Sequence, residues 1–319
     1  MKGKTALKIG AASVAVVGAA CAAGGKYFVD SFLGKDGIAR RANQTMLGDE
    51  NHELLTASGE SDAGLDFYRK TPYEDVFTYN GDSERLRAIF YKAAKPTDVY
   101  VIACHGYTGS PEKYNVVTHR FYEMGFNVLA PYLRAHEKSE HKYCSMGWFE
   151  RYDVIEWIKF IIEQNHDAKI ILHGTSMGSA TVMMTTGEPL PSNVVCAVAD
   201  CGYTSVWDEY SVQIGNVLGL PEMPFLHIAR AAARIIVGFD FKKTSPLEQV
   251  KKSKTPTLFI HGDKDDFVPL WMNYPLYKNA SCEKERLIVP NAPHAASFVV
   301  DPELYWSTVE KFVKKYINE

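Results

Sequence analysis

The pentapeptide from Gly174 to Gly178 has the pattern Gly-x-Ser-x-Gly, with Ser176 at its centre. It follows an apolar run at 170–173 that is typical of a buried strand, and a helical run comes after it. A sharp turn from strand to helix crowds the backbone, so small residues are needed on both sides of the serine. Such a turn lifts the hydroxyl clear of the sheet, and the helix N-terminus stabilises developing negative charge. The pattern therefore predicts a nucleophilic serine.

A serine nucleophile needs a base and a third group that orients the base, and the sequence offers both. Asp265 lies in the segment 261–269, His-Gly-Asp-Lys-Asp-Asp-Phe-Val-Pro, directly after an apolar strand. His294 ends the segment Asn-Ala-Pro-His at 291–294, directly after the next strand. Ser, then Asp, then His, each after its own strand, is an order in which this chemistry is found. We therefore expect Ser176, His294 and Asp265 to form a catalytic triad of nucleophile, base and acid.

The elements that must position these residues alternate along the chain from about residue 73. Apolar runs at 76–79 and 86–91 flank an Asn-Gly-Asp turn at 80–82 and predict a β-hairpin. Beyond it, short apolar strands alternate with helices, of which 148–164 has the clearest helical periodicity. The other predicted strands are 99–103, 127–130, 169–172, 194–199, 257–260 and 286–289, and the other helices are about 115–124, from 179, and 302–317. This predicts an α/β fold with a mostly parallel sheet, helices on both faces and antiparallel strands at one edge.

The stretch 202–250 interrupts this alternation, because it is too long for a crossover helix alone. It contains a predicted helix at 205–217, a turn rich in proline and a second helix at 225–237. We expect a small helical lid, inserted before the strand that carries the acid; the alternative is a decorated crossover without a lid's function. Its apolar residues line an acyl pocket or simply pack the lid onto the core. They are Trp207, Tyr210, Val217, Leu218, Leu220, Phe225 and Leu226.

Over about residues 73–317 these motifs resemble the α/β-hydrolase superfamily, in the branch of bacterial serine esterases near the prolyl-oligopeptidase-like and lysophospholipase-like hydrolases. The resemblance is carried by Gly-x-Ser-x-Gly and by His-Gly-x-x-Asp-x-x-Val-Pro at 261–269, whose second aspartate matches Asp265. Asp263 and Asp266 are its rivals for the role of acid. The resemblance implies an α/β-hydrolase fold and hydrolysis by a serine nucleophile.

The loop His-Gly-Tyr-Thr-Gly at 105–109 is similar to the family's His-Gly-x-x-Gly loop. An oxyanion hole needs two donors aimed at the tetrahedral oxygen. The backbone N–H of Met177, directly after the nucleophile, is expected to be one of them. By the resemblance, the backbone N–H of Tyr107 is the other. His105 is expected to prop this loop through hydrogen bonds, because His294 already fills the role of base.

A further family pattern is altered in this chain. The segment 132–139, Tyr-Leu-Arg-Ala-His-Glu-Lys-Ser, resembles Asp-x-Arg-Gly-His-Gly-x-Ser. A tyrosine replaces the aspartate, and Ala135 and Glu137 replace the glycines. The triad is untouched, but the resemblance does not give the shape of this loop or the substrate preference that depends on it. Asp153 and Asp200 are expected to make loop or helix-cap hydrogen bonds.

The composition fits a globular enzyme domain. The chain has 319 residues, of which 46% are hydrophobic and 23% charged, and its net charge is −3. A nucleic-acid-binding protein would normally show a basic face, so this class is disfavoured. The six cysteines form no Cys-x-x-Cys pair, and the ten histidines include no His-Glu-x-x-His. No Gly-x-Gly-x-x-Gly marks a dinucleotide site, and we expect neither a metal nor an organic cofactor.

The N-terminus has a different character. Three lysines in the first eight residues precede an uncharged stretch at 9–25, which is typical of a secretory signal. We expect an uncleaved signal anchor over 1–33 that attaches the protein to the cell membrane, with the catalytic domain outside the cytoplasm. A cleaved signal peptide with secretion, and a buried N-terminal helix, are the alternatives. Residues 34–72 are polar and predict a linker or a loose helical lead-in, so the hydrolase domain covers 73–319.

The predicted activity is hydrolysis of carboxylic esters with short-to-medium acyl or aryl groups, through an acyl-enzyme intermediate. A serine peptidase or amidase of the prolyl-oligopeptidase-like type is the alternative among enzymes; the sequence contains no propeller or other large domain that would gate a peptide cleft. A non-catalytic surface-binding protein that keeps the fold is the alternative from another class, disfavoured because Ser176, Asp265 and His294 are all present. The expected partner is a small-molecule ester and not a nucleic acid. The oligomeric state does not follow from the sequence.

Overall fold

The computed structural model describes residues 19–38, 60–218 and 222–318. The three lysines and most of the apolar stretch that predict the signal anchor lie outside the described residues, as does most of the expected linker. Within the described ranges, no helix combines the length and the apolar character that crossing a membrane requires.

The strands form one mixed sheet. Their bounds are β1 Glu74–Tyr79, β2 Arg85–Tyr91, β3 Val99–Cys104, β4 Asn127–Pro131, β5 Lys169–Thr175, β6 Val194–Asp200, β7 Thr257–Gly262 and β8 Lys284–Val289. The spatial order is β1-β2-β4-β3-β5-β6-β7-β8. β2 pairs antiparallel with both β1 and β4, and the pairs from β4 across to β8 are parallel. The predicted parallel sheet with an antiparallel hairpin at one edge is confirmed.

Helices cover both faces of this sheet, as predicted. They are α1 Glu60–Lys70, α2 Asn115–Glu123, α3 Glu150–Gln164, α4 Met177–Thr186, α5 Val206–Leu218, α6 Glu222–Ile236, α7 Pro246–Val250, α8 Asn273–Asn279, α9 Ser297–Val300 and α10 Pro302–Ile317, with a 3-10 turn at Leu270–Met272. Along β5, Ile170 and Leu172 belong to one core and Ile171 to the other. Trp157 of α3 packs in the first core and Val309 of α10 in the second. Burial on both faces explains why the strands are continuous apolar runs.

Most predicted elements occur near the predicted positions, and the differences have local causes. Strand β5 continues to Thr175, and α4 begins at Met177, two residues before the predicted start. Every residue of α4 is buried, so the helix has no amphipathic pattern from which its start could be read. The sequence pattern also missed α7, which is one turn long and is capped by the Ser245 hydroxyl.

The described N-terminal segment, residues 19–38, packs on the rest of the domain. Residues 19–28 are helical and lead into a π-helical turn, Val29–Leu33. Val29 and Leu33 are completely buried, and the carbonyl of Leu33 accepts a hydrogen bond from the backbone N–H of Cys144 at 2.9 Å. This part of the expected anchor therefore belongs to the core, as in the alternative of a buried N-terminal helix.

The described parts of the expected linker, residues 34–38 and 60–72, also contribute to the packed structure. Helix α1 lies against α2, and the buried ring of Phe67 lies 4.7 Å from the ring of Tyr91, between centroids. Gly34 forms an isolated antiparallel bridge with Tyr143. Packing of the domain thus starts before residue 73.

The stretch 202–250 forms α5, α6 and α7, close to the two helices predicted there. Helix α6 contacts the N-terminal segment at Gly25, where an added Cβ would lie only 2.8 Å from the Cβ of Ala232. The hydroxyl of Tyr203, just before α5, donates to the carbonyl of Met146 at 2.9 Å. The insertion is thereby held between the N-terminal segment and the loop that precedes α3.

Candidate active site

Ser176 occupies the sharp turn between β5 and α4, as the pentapeptide predicts. Its backbone has φ 57° and ψ −118°, a conformation that costs energy for a residue with a side chain. A Cβ on Gly174 would collide with the carbonyl of Gly178, and a Cβ on Gly178 would collide with the carbonyl of Cys104. The Ser176 N–H donates to the carbonyl of Asp200 at 2.9 Å, which fixes the turn to the end of β6. The two glycines are therefore required by close backbone approach.

The structure brings Ser176, His294 and Asp265 into one hydrogen-bonded chain. The Nε2 atom of His294 lies 2.9 Å from the Oγ atom of Ser176, and its Nδ1 atom lies 2.8 Å from Oδ2 of Asp265. All three side chains are buried, with Asp265 the least exposed at 4%. Each comes from a different strand end, after β5, β7 and β8. This geometry allows His294 to accept the Ser176 proton while Asp265 holds the ring in orientation.

Asp265 is kept ionised by its surroundings. Its Oδ1 atom accepts the backbone N–H groups of Phe267 at 3.1 Å and Val268 at 2.8 Å. The Nε2 atom of His261 lies 3.4 Å from its Oδ2 atom and also bonds the Val268 carbonyl at 2.8 Å. Burial alone would raise the pKa of Asp265, but His294 and the hydrogen bonds outweigh it and lower the pKa to about 2.

The two rival carboxylates lie elsewhere. Asp263 and Asp266 are exposed, and Oδ1 of Asp263 accepts the backbone N–H of Asn291 at 2.6 Å. Asp263 therefore joins the loop after β7, residues 263–269, to the loop that carries His294. Of the three aspartates, Asp265 alone reaches the histidine ring.

The loop after β3 lies directly beside the nucleophile. An added Cβ on Gly106 would lie 3.4 Å from the Ser176 Cβ and 3.3 Å from the carbonyl of Thr175. Tyr107 of this loop and Met177 of the turn both border the space next to Ser176. Both residues thus line the same pocket as Ser176, and the role of their backbone N–H groups as oxyanion donors stays a prediction.

Two neutral histidines support this loop. The Nε2 atom of His105 accepts the backbone N–H of Leu133 at 3.3 Å, and its Nδ1 atom bonds the carbonyl of Gly106 at 2.8 Å. The Nε2 atom of His136 accepts the backbone N–H of Thr108 at 3.1 Å. In both rings Nε2 is the acceptor, so Nδ1 carries the proton. His105 props the loop, as expected.

The altered loop at 132–139 keeps a backbone that suits glycine. Ala135 has φ 60° and Glu137 has φ 38°, at the two positions where the related pattern has glycines. The guanidinium of Arg134 makes a buried bidentate pair with Asp153 at 2.6 and 2.7 Å. Burial raises the pKa of Asp153, although Arg134 opposes this. Of the two roles expected for Asp153, loop or helix-cap hydrogen bonding, the structure shows the first, as an ion pair with Arg134 of this loop.

A buried chain of hydrogen bonds runs beneath the nucleophile. The hydroxyl of Tyr114 lies 2.6 Å from the hydroxyl of Thr175 and 2.9 Å from Nδ1 of His173. Nε2 of His173 lies 3.1 Å from the hydroxyl of Tyr305, which donates to Asp200 at 3.2 Å. Burial lowers the pKa of His173 to about 3 and raises the pKa of Asp200 to about 6. Because His173 is neutral, every donor in the chain points towards Asp200.

A pocket opens beside Ser176, with a free volume of about 50 Å³. Its walls are mostly aromatic and aliphatic and come largely from the N-terminal segment, the loop after β3, α5 and the loop after β7. The lining residues are Phe28, Phe32, Tyr107, Met146, Ser176, Met177, Tyr203, Glu209, Tyr210, Gln213, Ile214 and Phe267. The pocket has room for a short chain or a few water molecules.

Several of these residues were missed by reasoning from the sequence. Phe28 and Phe32 were assigned to an anchor, yet their rings stack at 4.6 Å and Phe28 meets Tyr210 edge-on at 5.4 Å. Glu209 was not singled out, although an acidic residue beside Trp207 and Tyr210 on a lid helix is a signal that could have been noticed. Of the predicted lid residues, Tyr210 lines the pocket, whereas Leu226 is buried in the core.

One group in the described part of the chain has the composition of a metal site. Cys201, Asp265 and His294 each offer an atom, and these atoms lie within 4.8 Å of one another. Asp265 and His294 are hydrogen-bonded to each other, and the Cys201 thiol is buried, which raises its pKa. Two members of the group, Asp265 and His294, belong to the hydrogen-bonded chain of Ser176.

Comparisons with known proteins agree with this fold. Residues 99–220 match the family model described as alpha/beta hydrolase fold. The uncharacterized protein YqkD of Bacillus subtilis is 29% identical over 225 residues, which are 70% of this chain and 74% of that protein. The esterase Pf2001 of Pyrococcus furiosus superposes with a TM-score of 0.63 at 26% identity, covering 77% of this chain and 93% of the esterase.

A peptidase shares the fold at lower similarity. The acylaminoacyl peptidase of Pyrococcus horikoshii superposes with a TM-score of 0.57 at 16% identity, over 78% of this chain and 43% of the peptidase. The sheet order, the strand-to-helix turn at Ser176 and these matches lead to one conclusion: the chain has the α/β-hydrolase fold, and its similarities support a hydrolase of that superfamily.

Proposed function

We propose that this protein is a serine hydrolase that cleaves carboxylic esters of short acyl groups through an acyl-enzyme intermediate. The observation that carries the proposal is the hydrogen-bonded chain of Ser176, His294 and Asp265, which opens onto an apolar pocket beside the serine. The similarity to an esterase of Pyrococcus furiosus supports the same activity.

The mechanism follows from the positions of these groups. Oγ of Ser176 attacks the ester carbonyl while Nε2 of His294 takes its proton, and ionised Asp265 stabilises the imidazolium. The backbone N–H groups of Tyr107 and Met177 hold the oxyanion of the tetrahedral intermediate. The intermediate collapses, His294 gives its proton to the leaving alkoxide, and the alcohol departs. A water molecule, deprotonated by His294, then hydrolyses the acyl-enzyme and regenerates Ser176.

The form of the pocket favours esters of small acyl groups. Its free volume is about 50 Å³, and Phe28, Phe32 and Tyr210 lie among its walls. A small apolar pocket suits a short chain better than an extended peptide. Cleavage of an amide also demands protonation of a poorer leaving group, which makes the ester the easier substrate.

The experiment is a panel of p-nitrophenyl esters from acetate to decanoate, together with labelling by a fluorophosphonate. We expect wild-type protein to be labelled and to hydrolyse the short esters, and Ser176→Ala to do neither. Ser179→Ala is the matched control, because Ser179 lies one helical turn on, is completely buried and is outside the hydrogen-bonded chain. Labelling that survives in Ser176→Ala would refute the assignment of the nucleophile.

The same panel separates an esterase from an amidase. Acyl p-nitroanilides of matched chain length are run beside the esters. Faster turnover of the anilides than of the esters contradicts the proposed ester preference, even if Ser176 is labelled. Absence of both labelling and turnover in folded protein would instead favour a binding protein that keeps the fold.

A further inference from the structure

Two residues that line the pocket each have a buried polar atom without a hydrogen-bond partner among the described residues. These atoms are Oε2 of Glu209 and the hydroxyl oxygen of Tyr210. Glu209 is 3% exposed and Tyr210 is 6% exposed, and both residues border the pocket that contains Ser176. Their other pocket neighbours are largely apolar.

The remaining polar contacts of this region are already used. Oε1 of Glu209 accepts the side-chain N–H of Gln213 at 3.0 Å, and the same amide donates to the carbonyl of Phe267 at 2.8 Å. The hydroxyl of Tyr203, also in the pocket wall, donates to the carbonyl of Met146 at 2.9 Å. The unpartnered atoms of Glu209 and Tyr210 therefore differ from their neighbours, which are satisfied within the protein.

A buried polar atom without a partner costs about 1–3 kcal/mol, so native proteins retain such atoms where a ligand or water uses them. A plain alkyl chain would exclude water from the pocket and leave both atoms unsatisfied. A chain that carries its own oxygen would satisfy them. If both atoms contact the acyl group, the pocket would therefore discriminate against the unsubstituted acyl group that an all-apolar wall would select.

We propose that the acyl group bound beside Ser176 is a short chain that carries an uncharged hydroxyl or carbonyl oxygen, and that Glu209 and Tyr210 recognise this oxygen. This inference rests on the proposed ester hydrolysis and names the substrate class of the same site. Both side chains come from α5, so one helix of the 202–250 insertion presents both groups.

The charge state of the site favours an uncharged partner. Burial raises the pKa of Glu209 to about 8, and the charge of Asp265 adds to this effect. At neutral pH the Glu209 carboxyl therefore keeps its proton and can donate it in a hydrogen bond to a ligand oxygen. The phenol of Tyr210 can donate as well. An ester with a cationic acyl group would need Glu209 to ionise in this buried position.

The test compares pairs of esters that differ by one polar group at nearly constant shape. p-Nitrophenyl 3-hydroxybutanoate is paired with the 3-methylbutanoate ester, and the 4-oxopentanoate ester with the 4-methylpentanoate ester. We expect wild-type protein to show a kcat/KM at least about tenfold higher for the polar member of one pair or both, because only that member satisfies the buried groups. An equal or higher kcat/KM for both methyl analogues overturns the inference.

Variants then assign the selectivity to the two side chains. The selectivity is the ratio of kcat/KM for the polar ester to kcat/KM for its methyl analogue. Glu209→Leu should reduce this ratio towards one, and Tyr210→Phe should reduce it by a smaller factor. Glu209→Gln, which keeps an uncharged donor, should retain most of it. Tyr203→Phe is the matched control, because its hydroxyl already bonds Met146; its ratio should stay within about twofold of wild type.

The outcomes separate this inference from the proposed function. If Glu209→Leu and Tyr210→Phe hydrolyse the esters with the same ratio of kcat/KM values as wild type, the proposed role of these two residues is overturned. The proposed ester hydrolysis would stand in that case. If Glu209→Leu does not fold, Glu209→Gln and Tyr210→Phe, which change one or two atoms, still decide the question. If folded wild-type protein cleaves none of the four esters and is not labelled by a fluorophosphonate, the proposed ester hydrolysis is refuted.

Discussion

The hydroxyl of Tyr107 donates a hydrogen bond to the backbone carbonyl of Phe32. This bond joins the loop after β3, where the oxyanion is expected, to the π-helical turn of the N-terminal segment. Both residues border the pocket that contains Ser176. A substrate in this pocket would therefore lie against residues from the first forty positions of the chain.

Removal of the ring of Phe28 or of Phe32 should allow the protein to accept longer acyl chains. In Phe28→Ala or Phe32→Ala we expect kcat/KM for octanoate and decanoate p-nitrophenyl esters to rise roughly tenfold relative to the acetate ester, since each accommodated methylene changes binding by about 1 kcal/mol or more. Tyr27→Ala is the control, because Tyr27 is 64% exposed and is not among the residues that line the pocket. Identical chain-length profiles in all three variants and wild type would contradict this arrangement.

Replacement of Asp265 should lower the activity far more than replacement of the neighbouring Asp263. Asp265→Asn removes the charge that stabilises the imidazolium and is expected to lower kcat by roughly a thousandfold or more. Asp263→Asn keeps an oxygen that can accept the N–H of Asn291, and its kcat should remain within about tenfold of wild type. The measurement is steady-state hydrolysis of a short p-nitrophenyl ester. A larger loss in Asp263→Asn than in Asp265→Asn would move the acid to residue 263.

Activity should rise with pH because His294 acts as a base only in its neutral form. Asp265 does not limit this rise, since its pKa of about 2 keeps it ionised far into the acid range. We expect kcat/KM to increase between about pH 5 and about pH 8, the region in which histidines commonly lose their proton. A flat profile over this range would contradict a histidine base.

Glu209 should make the folded protein less stable as the pH rises. Its pKa is about 8 in the folded protein and 4.5 in its ordinary state. Below a pH of about 4.5 the carboxyl is protonated in both states, and its full contribution to the free energy of unfolding is present. As the pH rises from there to about 8, the unfolded chain loses the proton while the folded protein keeps it, so this contribution is lost. Glu209→Gln cannot ionise, so its Tm advantage over wild type should grow between about pH 5 and about pH 8. Parallel Tm curves would show that Glu209 is ionised in the fold.

The buried pair of Arg134 and Asp153 should respond differently to single and double replacement. Arg134→Met leaves Asp153 buried without a cation and should lower the free energy of unfolding by about 3–5 kcal/mol. Adding Asp153→Leu removes the stranded charge and should recover most of this loss. Urea unfolding of the wild type, both single variants and the double variant gives the comparison. Additive losses in the double variant would mean that the pair is not coupled.

The hydrogen-bonded arrangement of Ser176, His294 and Asp265 could be predicted from the sequence because each of its motifs is local. Ser176, Asp265 and His294 each follow their own apolar strand, and parallel strands bring such positions to one edge of the sheet. The sheet topology then determines the distances between these three side chains, which the sequence alone does not give. The same reasoning selected Asp265 from three nearby aspartates by its position in the acid motif.

The pocket walls could not be predicted in this way, because they depend on contacts between distant segments. The apolar residues before Phe32 have the composition of a signal, and nothing local shows that Gly25 and the turn Val29–Leu33 contact α6. Ala135 and Glu137 adopt left-handed backbone without being glycine, because the pair of Arg134 and Asp153 and the bonds of His136 hold the loop. Propensity alone would assign these residues another conformation.

The position of Phe28 and Phe32 in the pocket wall has a thermodynamic consequence. A ligand that touches these rings and the body of the domain at the same time binds more tightly when the N-terminal segment is docked. By reciprocity, the same ligand strengthens the docking of the segment by an equal free energy. Occupancy of the pocket is thereby coupled to local unfolding at the start of the chain, and the backbone amides around Leu33 become reporters of events at a serine far along the sequence.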